Sequence, residues 1–148
     1  MINSNQVTNK TFDELNKSEL YDILALRVQV FCVEQNCPYQ DLDGQDHEAT
    51  HVYLKDQNSI AAYARIIKEN DDKYHIGRVI VNISHRKNGL ATLIMKHCIK
   101  LIQCHKNTTI EISAQSYLKD FYQQLGFKNT GHYYLEDDIP HERMQITA

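Results

Sequence analysis

The residues best placed to do chemistry are Arg86-Lys87-Asn88-Gly89-Leu90-Ala91. A strand-like run, Ile76-Gly77-Arg78-Val79-Ile80-Val81, comes before them and a helix-like run, 90–104, comes after. A strand that turns sharply into a helix leaves main-chain N–H groups unpaired at the turn. These donors, with the positive end of the helix dipole, form a ready site for phosphate. Gly89 lets the chain turn without a Cβ clash and lets a ligand approach the backbone, and Ala91 is small enough not to block it. On the motif alone, an ordinary strand-to-helix turn with Gly at its N-terminus explains these six residues equally well. Two other groupings invite a metal and fit it poorly. Asp41-Leu42-Asp43-Gly44-Gln45-Asp46 is rich in oxygen ligands, but the sixth and twelfth places of a calcium loop hold Asp46 and Val52 instead of Gly and Glu. Cys32, Cys37, His47 and His51 have tolerable spacing for zinc, but a run of carboxylates lies between them and no second Cys pair follows. No metal is expected, and the acidic run reads as a solvated, self-capping turn.

Composition narrows the classes. At 148 residues the chain is expected to form a single domain, 1–148, with one core. Apolar residues make up 42% and charged residues 24%, too apolar for disorder. The net charge of −3 lacks the basic field that nucleic-acid binders use, so nucleic acid is excluded as a partner. No run approaches a membrane span, and residues 1–10 are polar, without a signal-peptide core. Four irregularly spaced cysteines read as reduced thiols of a cytoplasmic protein.

The elements that must position the turn follow from periodicity. Residues 7–14 suggest a first, edge strand. Asn16-Lys17-Ser18-Glu19 reads as a capping box, with Leu15 and Leu20 placed as a hydrophobic staple. Leu20, Ile23, Leu24, Val28 and Phe31 then mark the apolar face of a helix. Residues 31–51 keep no period and read as a long loop, which in a small domain is usually functional. Runs 51–55 and 60–67 form a strand pair, the second apolar on both faces as a central strand should be. Strand 74–81 leads into the turn. The helix after it buries Leu90, Leu93, Ile94, Cys98, Leu101 and Ile102, which makes Cys98 inert core. A strand at 108–113 and a short helix at 117–125 follow, closed by Gly126 as a left-handed cap, and strands 132–135 and 143–146 come last.

This order of elements, with Arg86, Gly89 and Ala91 in the three fixed places of a Gln/Arg-x-x-Gly-x-Gly/Ala signature, resembles the GNAT acyltransferases. The stretch from Gln115 to Phe127 is similar to the family's second signature, with Gln115 where an Asn-type residue recurs, then Tyr122 and Gly126-Phe127. Residues 34–46, Tyr134-Leu135-Glu136-Asp137 and Ile139-Pro140-His141 resemble the narrower ElaA-like branch. The similarity spans about residues 20–146. It implies an α+β fold layered α/β/α, the GNAT acyl-CoA N-acyltransferase fold. In that fold a mixed, mostly antiparallel sheet of about six or seven strands carries helices on both faces.

The resemblance also implies the reaction: transfer of an acetyl group from acetyl-CoA to the primary amine of an unidentified small-molecule or peptide acceptor, in a direct ternary complex. Lys87, Asn88, Gly89, Leu90 and Ala91 would take the pyrophosphate on their N–H groups, with positive charge from Arg86 and Lys87. Val79, Ile80 and Val81 would face the thioester carbonyl, and Gln115 and Tyr122 complete the cofactor side. Tyr122, a phenol with an ordinary pKa near ~10, can serve as acid to a thiolate near ~8.5. Many GNAT proteins carry a Glu on the strand before the turn, but Gly77 and Arg78 stand here. His141, His51 and Glu34 are the candidate bases. Each has a duller alternative: His141 hydrogen-bonds a turn, His51 caps a strand, and Glu34 pairs with an Arg. The acidic residues 41–48 suggest attraction of a cationic acceptor, and a homodimer stays open. The rival to an enzyme is a non-catalytic acyl-CoA-binding or partner-binding module on the same scaffold.

Overall fold

The first helix, α1 (Lys17–Val28), begins as the sequence predicts: Glu19 N–H donates to Asn16 Oδ1 at 2.8 Å, and Glu19 Oε1 accepts from Asn16 N–H at 3.0 Å. The computed structural model describes residues 6–147. Residues 1–5, part of the polar stretch read for a signal peptide, and residue 148 lie outside the described residues. The cap does more than start the helix. The Glu19 carboxylate is buried, and it also accepts from Lys10 Nζ at 3.1 Å and from Tyr53 Oη at 2.6 Å. It thereby ties the helix to β1 (Val7–Thr11) and β2 (Thr50–Asp56).

The face α1 buries differs from the expected one. Glu19, Ile23, Leu26, Arg27 and Val30 turn inward, while Val28 is 39% exposed. The stripe includes two charged residues, which a search for apolar period cannot count. The helix also continues, as a π-helical turn at Gln29–Glu34, into what the sequence suggests is loop. Wide turns of this kind are rare and recur at functional sites.

One sheet of seven strands runs in the order β1-β2-β3-β4-β5-β7-β6. Its later members are β3 (Ser59–Asn70), β4 (Lys73–Val81), β5 (Thr109–Gln115), β6 (Lys128–Glu136) and β7 (Ile139–Thr147). All neighbours are antiparallel except β4 and β5. β3 is buried from Ile60 to Ile66, as its two-sided apolar sequence requires. Tyr53, Tyr63 and Ile80 face α1 with Ile23, Leu26 and Val30. The larger core lies with α2 (Leu90–Gln103) and α3 (Lys119–Gln124), where Ile94, Met95, Cys98, Tyr122 and Phe127 pack on Val52, Ala62, Ile76 and Ile112. Burial pushes the Cys98 thiol up to about 12, consistent with an inert core residue. Gly126 at φ +104° closes α3 as expected. Its N–H donates to Gln123 O at 3.0 Å and Phe127 N–H to Tyr122 O at 3.1 Å, the paired bonds of a Schellman motif.

Two irregularities in β4 make the site. Tyr63 pairs with Ile80 and Arg65 with Gly77, so β4 carries one more residue than β3 between these pairs. This is a bulge, and Arg78 sits in it at φ +53°. On its other side β4 pairs with β5 only at Lys73–Thr109, Tyr74–Ile110 and His75–Glu111. Beyond those three pairs the strands part and leave a gap in the sheet.

Candidate active site

The gap opens into a cleft of about 980 Å³. Ile76 to Val81 of β4 form one wall and Ile112, Ser113 and Gln115 of β5 the other. The phosphate turn closes one end. Lys87 at φ +66° and Gly89 at φ +73° turn the chain into α2, whose N-cap is Gly89 with no capping side chain. The first helical bond runs from Leu93 N–H to Gly89 O at 3.1 Å, so the earlier N–H groups of the turn point out of the helix. A Cβ placed on Gly89 would meet nothing within 4 Å, so the space before the turn is open.

Of the residues named from sequence, Glu34, Val79, Ile80, Val81, Arg86, Lys87, Gly89, Leu90, Ala91, Gln115, Tyr122 and His141 all line this cleft. Asn88 does not; its amide donates to His85 O at 3.2 Å and braces the turn from behind. His51 lies elsewhere, fully buried between Tyr63 Oη at 2.6 Å and Asp46 O at 2.9 Å. A carbonyl can only accept, so His51 carries its proton on Nε2 and its Nδ1 accepts a hydrogen bond from the Tyr63 hydroxyl. Burial, and then the nearby Arg27 and Arg65, hold its pKa below the ordinary value, so it is a neutral structural link.

Tyr122 sits on α3 with its ring edge-on to Phe121 and Phe127 at 5.0 and 6.0 Å. Its hydroxyl has no hydrogen-bond partner among the described residues. Burial pushes its pKa up to about 12. His141 is a buried residue of β7, in register with Gln115 of β5 and Tyr134 of β6, and stacked on the Tyr134 ring at 6.0 Å. Its Nδ1 donates to Ile139 O at 2.7 Å, and its Nε2 lies 3.3 Å from Glu136 Oε2. The carbonyl fixes the proton on Nδ1 and leaves Nε2 for proton exchange. Glu34 is paired, as its duller alternative held, and its partner is Arg86 of the phosphate turn, at 2.7 Å.

The acidic loop corrects the sequence reading most. Asp41 and Asp46 are buried, not solvated. Arg27, with no exposed surface, donates Nε to Asp41 at 2.9 Å and Nη1 to Asp46 at 2.7 Å. Arg65 bridges Asp46 at 3.0 Å and Asp43 at 2.5 Å. Arg78, in the bulge, donates to Asp41 O at 2.9 Å, and its Nε lies 2.9 Å from Asp41 Oδ1 without the alignment of a hydrogen bond. Three arginines thus neutralise the three aspartates, and of the acidic residues 41–48 only the exposed Glu48 has no ion-pair partner among the described residues. Hydrogen bonds from Arg65 hold the Asp43 carboxyl well below the usual carboxylate range. The sequence did contain a signal: a charged residue inside the apolar run of β3, Arg65, must find partners. With these carboxylates on arginines and both His51 nitrogens engaged, no group of three or more His, Cys, Asp or Glu poised for a metal occurs among the described residues. Nor is any described helix long and apolar enough to cross a membrane.

A profile of the Acetyltransferase (GNAT) domain matches residues 14–148. The chain is 41% identical over 133 residues to protein ElaA of Escherichia coli, covering 86% of this chain and 87% of that one. The fold superposes on the crystal structure of Escherichia coli ElaA with a TM-score of 0.88 at 37% identity, covering 94% of this chain and 97% of that chain. It superposes equally well, at a TM-score of 0.88 and 35% identity, on an acyl-CoA N-acyltransferase from Pseudomonas aeruginosa, covering 94% and 97% of the two chains.

Proposed function

The chain belongs to the GNAT acetyltransferase family, and on that premise we propose that it moves an acetyl group from acetyl-CoA directly to the primary amine of a small-molecule acceptor. We further propose that it works as a single domain in the cytoplasm, where its four free cysteines stay reduced. One observation carries the reading. The uncapped start of α2, the gap between β4 and β5, and the side chains of Tyr122 and His141 all meet in a single cleft.

The cleft fits a CoA thioester on its own terms. The turn offers main-chain donors in front of open space, and Arg86 and Lys87 add charge of the right sign. These residues would hold the diphosphate, and β4 from Val79 to Val81 with Gln115 would hold the extended arm. Bound acetyl-CoA supplies the acyl group as an activated thioester. The bulge at Arg78 frees main-chain N–H groups of β4 from the ladder with β3, and such fixed donors stabilise negative charge on a carbonyl oxygen. His141 Nε2 accepts a proton from the incoming ammonium, and Glu136 steadies the imidazolium that results. Tyr122, protonated throughout the neutral range, donates a hydrogen bond toward the departing sulfur. Cys37 also lines the cleft, but desolvation and then the Asp137 charge raise its pKa, which makes it a poor nucleophile and favours direct transfer over an acyl-cysteine.

A panel of primary amines incubated with acetyl-CoA and the protein, read by release of free thiol, tests the proposal. Amine-dependent release is expected for at least one member. CoA binding without turnover on any amine would leave the non-catalytic module in its place.

A further inference from the structure

The Glu34–Arg86 ion pair joins two parts of the cleft that the reaction would fill separately. Glu34 ends the π-helical turn after α1, and Arg86 opens the phosphate turn. Arg86 Nη2 donates to Glu34 Oε2 at 2.7 Å while its Nε donates to Val81 O at 3.1 Å, which fixes the guanidinium at the wall. The side chains are 37% and 30% exposed, so a ligand in the cleft reaches both. The other charges that line the cleft are placed differently. Asp43, Arg65 and Arg78 belong to the buried loop network. Glu136 ends β6 with its carboxylate 3.3 Å from His141 Nε2, and Asp137 lies in the turn between β6 and β7. Lys87 has no ion-pair partner among the described residues and stands beside the turn. In Glu34–Arg86, by contrast, the cation belongs to the phosphate site and the anion does not.

We propose that Glu34 is the receptor for a cationic group of the acceptor, masked by Arg86 until a diphosphate takes the arginine. The inference rests on the reading of the cleft as an acyl-CoA site. A diphosphate on the N–H groups of Lys87 to Ala91 carries more than one negative charge. It draws the guanidinium more strongly than a single half-exposed carboxylate and repels that carboxylate. Glu34 is then an uncompensated anion in a half-enclosed cleft, and an ammonium is its complement. While Arg86 holds it, the Glu34 carboxylate is neutralised, so loading the cofactor adds its charge to those of Glu136 and Asp137 in the cleft. A plain structural salt bridge predicts the opposite sign for the key measurement, since removing Glu34 would then loosen the turn and weaken CoA.

Calorimetric titration of CoA into the wild-type protein and Glu34→Gln at low salt separates the two. Loss of the competing carboxylate is expected to tighten CoA about threefold to tenfold, and the gain should shrink as salt is raised. Glu34→Asp should restore most of the wild-type affinity. In parallel, 1,4-diaminobutane should shift amide resonances of the cleft only when CoA is present, and should lose that effect in Glu34→Gln. CoA affinity that is unchanged or weaker in Glu34→Gln, or diamine shifts equal with and without CoA, overturns the proposal while leaving the cofactor site standing. A wild-type protein that does not bind CoA overturns both.

Discussion

Replacing Tyr122 by Phe removes one oxygen and leaves the packing in place. The ring keeps its edge contacts with Phe121 and Phe127, and the hydroxyl has no partner to lose among the described residues. Folding stability should therefore change by less than about 0.5 kcal/mol. The effect on catalysis is larger, and its size follows from the pKa. With burial raising the phenol to about 12, less than about one molecule in ten thousand is ionised at neutral pH, so the donor is always ready. Full proton transfer to a thiolate of pKa ~8.5 would nevertheless run uphill by about 5 kcal/mol. The hydroxyl therefore acts as a fixed hydrogen-bond donor to the developing sulfur charge, and solvent completes the protonation. A preorganised donor of this kind contributes about a hundredfold to a thousandfold in kcat. Steady-state thiol release, calorimetric CoA binding and a thermal melt of the variant should show kcat down about a hundredfold, with CoA affinity within about twofold. The melt should move by no more than about 2 °C. Unchanged kcat would remove Tyr122 from the chemistry, and a large fall in Tm would show that its hydroxyl is bonded in the fold.

Three further outcomes follow. Arg27→Met strips the guanidinium from two buried carboxylates, Asp41 and Asp46, and should cost about 3–5 kcal/mol, lowering Tm by about 10 °C or more. A melt like that of the wild type would mean the network relaxes freely. For Glu19, burial raises the carboxyl pKa, but hydrogen bonds from Tyr53, Asn16, Lys10 and Lys55 outweigh it and bring the value from 4.5 to about 2. A depressed folded pKa contributes stability above the unfolded value and loses it as pH falls from about 4.5 toward 2. In urea unfolding, Glu19→Gln should be about 1–2 kcal/mol less stable than wild type at pH 7, and the gap should close near pH 2 to 3; a gap independent of pH would refute the assignment. Gly89→Asp keeps a residue that tolerates a left-handed φ of +73° but sets a carboxylate before the diphosphate, so CoA affinity should fall about a hundredfold or more with little change in Tm. Equal affinity in a calorimeter would mean the turn holds no phosphate.

What the sequence made legible was local. Asn16 and Glu19 lie three residues apart, and the same spacing that names a capping box makes its two bonds. Gly126 and the turn at Gly89 are likewise set by residues within one helical turn of each other. What it hid depends on distance along the chain. Arg27 meets Asp41 across 14 residues and Asp46 across 19, and Arg65 meets Asp43 across 22. Seen singly, each is a charged residue expected in solvent, and only the fold brings them into one buried cluster. Arg27 of that cluster and Glu19, held separately by Tyr53 and Lys10, rotate the buried face of α1, because they occupy places an apolar count assigns to other residues. The bulge at Arg78 leaves no mark either, since the left-handed residue there is not glycine. Tyr122 and His141 were found through the family resemblance, and the structure adds what it could not supply: a phenol without a hydrogen-bond partner among the described residues, and a histidine whose Nδ1 is tied to Ile139 while Nε2 faces Glu136.

The central claim is that a diphosphate rests on main-chain N–H groups between Lys87 and Thr92. Titrating CoA into ¹⁵N-labelled protein and following amide proton shifts reads those groups directly. The account predicts saturable downfield shifts concentrated at Gly89, Leu90, Ala91 and Thr92, the donors that the uncapped start of α2 leaves unpaired. Saturable binding that leaves those four amides unmoved, or no binding at all, would contradict it.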